Sequence, residues 1–176
     1  MNEIVTERRL EAPIRPGDLP EMERAAASCM EKYRVRHRTS LLSFDGTWLV
    51  CTFVAPDVEA IRAVYRSLGE NADRLWPAAV HHPPNAGSPL AHDRVIVVDR
   101  SFDTPVSFEE IQALEDRGAW CLSQHHVRFL RSYFATDRKR MTCVYTAPDA
   151  ESVRRAQEQA GMPMERVWPA WAYETV

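Results

Sequence analysis

Apolar and polar positions follow the same plan twice along this chain. From Val35 to Val64, VRHRTSLLSFDGTWLVCTFVAPDVEAIRAV reads as strand, tight turn, strand and capped helix. From Val127 to Ala156, VRFLRSYFATDRKRMTCVYTAPDAESVRRA reads the same way. Strand residues alternate between two faces, whereas helical residues recur every three or four positions. Upstream of each copy stands a β-branched run, EIVTERRL and RVIVVDRSF, which suits a pleated surface.

A helix is predicted between that run and the hairpin. Leu19, Met22, Ala26, Cys29 and Tyr33 form one apolar stripe, and Ile111, Leu114, Gly118, Cys121 and His125 match it. Asp18 to Glu21 and Ser107 to Glu110 read as capping boxes. Asp45-Gly46 is a hairpin turn signal, with Asp137-Arg138 in its place in the second copy. Asp57 and Asp149 are expected to cap the next helix, and Gly69 and Gly161 to stop it.

The two copies align without a gap at an offset of 92 residues, from Ile4–Ala78 to Ile96–Ala170. This reads as a duplication of one βαββαβ unit. Residues 1–78 form the first repeat, 79–93 a proline-rich linker and 94–176 the second repeat. The order is the ferredoxin-like one, with a four-stranded antiparallel sheet and both helices on one face. Val95, Ile96, Val97 and Val98 put apolar side chains on both faces of their strand, so a second layer is expected over the sheet. The predicted architecture is therefore α+β: two ferredoxin-like repeats forming an intramolecular pseudo-dimer, sheet against sheet, as in a dimeric α/β-barrel.

Composition narrows the function without naming it. Net charge is −3 with 45% hydrophobic residues, so no basic footprint for nucleic acid is present. No apolar run nears the roughly 18 residues of a membrane span, and a cytoplasmic protein with no membrane partner is expected. The four cysteines form no C-x-x-C pair and read as small buried hydrophobes.

Candidate chemistry is sparse. Ile4, Thr6 and Arg8 share a face of the first strand, as do Ile96, Val98 and Arg100. Both arginines are expected near the rim of one shared interior, where a guanidinium holds a small anionic ligand. His37 breaks the symmetry of the repeat, since Phe129 is its counterpart. Tyr133 is expected in the same cavity, and Trp76 and Trp168 as packing residues with a secondary stacking role. His81, His82, His125 and His126 are the imidazoles considered for metal. The first pair reads more plainly as linker and the second as a helix C-terminus. A cofactor-free enzyme using the same cavity is the alternative to a binding protein.

On VRFLRSYFATDRKRMTCVYTAPDAESVRRA and its first copy, the chain resembles a bacterial family of small ferredoxin-like proteins long known only as a domain of unknown function. That family includes nickel-binding members that pair as dimers. The resemblance implies the fold, the pairing and a nickel-type metal as possible cofactor. Its strand and helix positions for histidine carry Arg8, Arg100, Tyr65 and Gln157 here.

Overall fold

The computed structural model describes residues 1–83, 90 and 93–175. In chain order the elements are β1 (Asn2–Arg9), α1 (Leu19–Lys32), β2 (Arg36–Ser43), β3 (Trp48–Ala55), α2 (Val58–Ser67) and β4 (Arg74–His81). They are followed by β5 (Arg94–Ser101), α3 (Phe108–Gln124), β6 (Arg128–Ala135), β7 (Arg140–Thr146), α4 (Ala150–Ala160) and β8 (Arg166–Glu174). The chain is thus an α+β protein of two tandem repeats. Of the expected linker, residues 79–81 belong to β4, and 84–89 with 91–92 lie outside the described residues.

Two compact units result, Met1–Ala78 with the segment from Trp171 onward, and Ala79–Ala170. In the first, β1 pairs antiparallel with β3 and β4, and β3 with β2, so the strand order is β4-β1-β3-β2. In the second the order is β8-β5-β7-β6. The helix-facing core of the first unit gathers Ile4, Leu42, Leu49, Phe53, Ile61 and Val64. That of the second gathers Ile96, Val98, Ile111, Phe134, Tyr145 and Val153. The other face of each sheet is buried as well, since Val5, Leu41, Thr52, Val97 and Val144 have no exposed surface.

Most local signals work as read. Ser107 and Glu110 form a reciprocal capping box, and Asp57 and Asp149 accept the amide hydrogens of Ala60 and Ser152. Asp18 differs. It closes a 3-10 turn, Pro16–Asp18, and has helical backbone angles itself. Its carboxylate turns back to the Arg15 amide at 2.7 Å and does not cap α1. The first hairpin needs Gly46: φ is 74°, and a Cβ there would lie 2.2 Å from the Ile14 carbonyl oxygen. Arg138 takes the same left-handed geometry at φ 61°.

Among the described residues, strict alternation breaks at matching places in the two sheets. The β2–β3 register shifts between His37 and Thr39, and the β6–β7 register shifts at the matching place, between Phe129 and Arg131. The extra residue, Arg38 or Leu130, reverses the alternation beyond it.

Among the described residues, no helix is long and apolar enough to cross a membrane.

Candidate functional site

A cavity of about 320 Å³ lies inside the first unit, between the sheet and helices α1 and α2. Its walls are mostly apolar, with Leu19, Met22, Leu49, Phe53 and Ile61 among them. Polar groups stand at its edges in two clusters.

The bulge in β2 builds the first cluster. With Arg38 as the extra residue, Ser40 returns to the face of His37, and both line the cavity. His37 Nε2 is 2.8 Å from Ser40 Oγ, which is 3.2 Å from Cys51 Sγ. His37 Nδ1 is 2.6 Å from Thr175 Oγ1. Thr175 donates its hydroxyl hydrogen to Glu23 at 2.8 Å, and Tyr173 donates to the same carboxylate at 2.7 Å. The hydroxyl donors fix the tautomer. Thr175 has given its proton to Glu23, so Nδ1 carries the imidazole hydrogen and Nε2 accepts from Ser40. A neutral ring satisfies this chain. Burial lowers the His37 pKa below its ordinary value, and the Glu23 carboxylate opposes that shift. Burial pushes the Cys51 thiol up to about 11, and Ser40 opposes it, so Cys51 is a protonated thiol and no nucleophile at neutral pH.

The second cluster surrounds Arg8. Its Nη1 meets Glu70 at 2.6 Å, with the arginine side chain 13% and the glutamate side chain 38% exposed. The guanidinium carbon lies 5.1 Å from the Tyr65 ring centre, and Nε is buried with no hydrogen-bond partner. Tyr65 in turn shares a hydrogen bond with Thr6 at 3.0 Å.

Arg100, the counterpart of Arg8, has a different role. It is fully buried on the helix side of its own sheet. Its terminal nitrogens donate to the Pro163 carbonyl at 2.5 Å, Gln157 Oε1 at 2.8 Å and Tyr145 Oη at 3.1 Å. Arg8 and Arg100 are each enclosed by residues of their own unit, and the expectation of one shared arginine space is corrected accordingly. The reason is parity: Arg8 follows Ile4 and Thr6 onto the helix-facing side.

The remaining candidates separate. Tyr133 lies beyond the β6 bulge, pairs with Thr142 and is 3.3 Å from Arg131 Nη1. It therefore points away from the face of Phe129, the counterpart of His37. Trp76 donates its indole N–H to Glu7 and Trp168 to Asp99, each at 2.8 Å. These duplicated bonds answer the charge on β1 and β5, and they lock both indoles in place. His81 stacks on Phe108 with ring centres 3.9 Å apart. His82 is exposed, and His125 meets Gln159 at 2.9 Å. His126 sits at φ 56° just past α3.

Glu23, Ser40, Glu70, Tyr173 and Thr175 were missed as site residues. A signal existed for two: Glu23 and Ser40 recur as Glu115 and Ser132 at the repeat offset. Nothing in the sequence linked Tyr173 and Thr175 to the first unit.

The width of the cavity follows from helix packing. In the second unit, Gly118 of α3 lets α4 approach until an added Cβ would lie 2.6 Å from Ala160 Cβ. The first unit has Ala26 and Leu68 at these positions, and both line the opening. The matching cavity in the second unit is about 160 Å³.

A duplicated α+β chain with a mainly apolar cavity and few polar groups has the build of a small-ligand protein. By sequence it belongs to the SCO4226-like family, described as nickel responsive protein SCO4226-like, which it matches over residues 5–77 and 97–169. No curated relative matches. The crystal structure of SCO4226 from Streptomyces coelicolor A3(2) is similar at 15% identity and a TM-score of 0.39, covering 46% of this chain and 94% of that one. A putative chlorite dismutase, TA0507, aligns over 98% of this chain and 94% of its own, with 12% identity and a TM-score of 0.54. That likeness is one of fold. A heme-binding protein from Thermus thermophilus is similar at 9% identity and a TM-score of 0.48, over 98% of this chain and 91% of that one.

The family's name raises the fit of nickel. Among the described residues, no group of three or more His, Cys, Asp or Glu is arranged to hold a metal ion. His37 has hydroxyl partners at both ring nitrogens, and the Cys51 thiol is held protonated. Such a donor set does not fit a nickel ion, which takes imidazole nitrogen, thiolate or carboxylate ligands.

Proposed function

We propose that this chain is a small-molecule-binding protein whose first unit takes an organic acid. The apolar body of the ligand lies between the sheet and helices α1 and α2, and its anionic group meets Arg8. One observation carries this reading: Arg8 lines the cavity and, unlike Arg100, commits its guanidinium to a single partly exposed ion pair. Its ion-pair partner Glu70 is the more exposed of the two, so it can move aside for a ligand. A carboxylate then receives charge-assisted hydrogen bonds in a partly desolvated place. The ferredoxin-like character of each repeat belongs to the same reading, supported by the β4-β1-β3-β2 order.

Titration calorimetry with 2-naphthoate tests it. Tight binding is expected, weakened by about tenfold or more in Arg8→Met, because a hydrogen bond to a charged group is lost. If 2-naphthalenemethanol bound as well as the acid, or if Arg8→Met bound 2-naphthoate unchanged, the anionic assignment would be wrong. Nickel added in the same cell is expected to bind only weakly, and stoichiometric submicromolar binding would restore a metal role.

A second reading has its own observation. Ser40 donates to the unprotonated nitrogen of His37 in the arrangement of a base-activated hydroxyl. It makes the cavity that of a cofactor-free enzyme. Labelling of Ser40 by a fluorophosphonate would support it, and an unmodified Ser40 after prolonged exposure would remove it.

A further inference from the structure

The duplication leaves a second carboxylate in a different condition. Glu115 on α3 is the counterpart of Glu23. Glu23 receives two hydroxyl donors, from Tyr173 and Thr175. At the repeat offset those positions are His81 and Pro83. Proline has no donor to give, and His81 lies against Phe108. Glu115 Oε1 is buried with no hydrogen-bond partner. It borders an open cavity of about 400 Å³ in the second unit, whose other walls include His81, Phe108, Phe129 and Ser132. A buried acceptor without a donor is costly. Burial raises the Glu115 pKa, and the positive charge of Arg100 opposes that shift.

We propose that this cavity is a second binding site, which takes a neutral aromatic molecule bearing a hydroxyl group. The phenol O–H donates to Glu115 as Tyr173 donates to Glu23 in the first unit. The rings of Phe108, Phe129 and His81 supply the apolar walls for the aromatic body. Charge selects a neutral ligand. Glu115 and its neighbour Asp116 repel an anion, while the positive charge of Arg100 offsets part of what an ammonium group would gain. The site is independent of the acid site at Arg8, since the two lie in different units.

The probe is p-cresol, the side chain of tyrosine as a free molecule, compared with toluene, which lacks the hydroxyl. Ligand-detected NMR titration of the full chain is expected to show p-cresol binding about tenfold or more tighter than toluene, as expected for a hydrogen bond to a charged acceptor. Glu115→Leu is expected to abolish that preference. Nuclear Overhauser contacts from p-cresol should reach Phe108 and Phe129. His81→Tyr plants a phenol in the site and is expected to exclude p-cresol, with 2-naphthoate binding at Arg8 unchanged. Equal binding of p-cresol and toluene, a preference that survives Glu115→Leu, or contacts confined to Phe53 of the first unit would each overturn the proposal. If Glu115→Leu fails to fold, unaltered p-cresol binding by His81→Tyr overturns it instead.

Discussion

Two arginines at equivalent places do different work because of what surrounds them. Arg100 is fully buried and satisfies three acceptors, while Arg8 keeps some exposure and one ion pair. Replacing Arg100 by Met leaves the Pro163 carbonyl, Gln157 and Tyr145 without their donor. The expected loss is about 1–3 kcal/mol or more, the cost of leaving buried acceptors without a donor. Arg8→Met should cost about 1 kcal/mol or less, as for partly exposed pairs. Urea denaturation of both variants measures the difference, and equal losses would refute the division of roles. His37 gives a second residue-scale test. Its pKa in the folded state is lowered by burial, against the pull of Glu23. The unfolded chain therefore takes up a proton first as pH falls. The stability that neutral His37 contributes is complete above its ordinary value of 6.5 and is lost as pH drops below it toward the folded pKa. His37→Phe, the residue of the second copy, should lose less stability than the parent protein between about pH 7.5 and pH 5, the window that spans the ordinary histidine pKa. Parallel losses would show that His37 titrates alike in both states.

Helix spacing sets the width of the cavity between sheet and helices in each unit. Gly118 brings α3 onto α4 in the second unit, whereas Ala26 and Leu68, at the same places in the first, line the cavity. Gly118→Ala places a methyl group 2.6 Å from Ala160 Cβ. Overpacking of this kind costs about 1–3 kcal/mol. Adding Ala160→Gly removes the clashing methyl and should recover much of the loss, apart from the helix penalty of glycine, about 1 kcal/mol. Thermal denaturation of the single and double variants reads this coupling, and simple additivity would mean that the helices do not meet there. The β2 bulge is the other element-scale device. It brings His37 and Ser40 onto one face, which unbroken alternation would keep apart.

At the scale of the whole molecule, sequence order and structural unit do not coincide. The segment from Trp171 onward belongs to the first unit. There Trp171 stacks on Phe44 with ring centres 4.8 Å apart, and the Thr175 amide donates to the Arg38 carbonyl at 3.0 Å. Thr39 donates to Glu174 at 3.0 Å. A chain ended after Ala170 loses these contacts together with both donors to Glu23. Amide hydrogen exchange should then rise across α1 and β2 while protection in α3 and β6 persists. Unchanged exchange in α1 and β2 would show that the last segment does not hold the first unit together. For the same reason a fragment of residues 94–176 is not expected to fold cooperatively, because its last residues pack in the first unit and apolar faces would be exposed.

Period and punctuation were enough to determine the repeats, the βαββαβ order and the helix caps at Asp57, Ser107 and Asp149, because these depend on neighbours close in sequence; burial of both sheet faces was legible only as apolar residues on both sides of β5. Arg8 and His37 were legible as candidates, but tertiary structure alone decided how the site is assembled. A single extra residue at Arg38 reverses the strand's alternation and moves Ser40 beside His37. The matching extra residue, Leu130, turns Tyr133 away from the face of Phe129. Gly118 reads in sequence as one apolar-stripe position like Ala26, yet the partner helix makes one a close contact and the other an opening. Thr175 stands 138 residues from His37 in the chain, and Tyr173 stands 150 from Glu23. No local pattern carries information over that distance; only the folded backbone brings such donors to the carboxylate of Glu23.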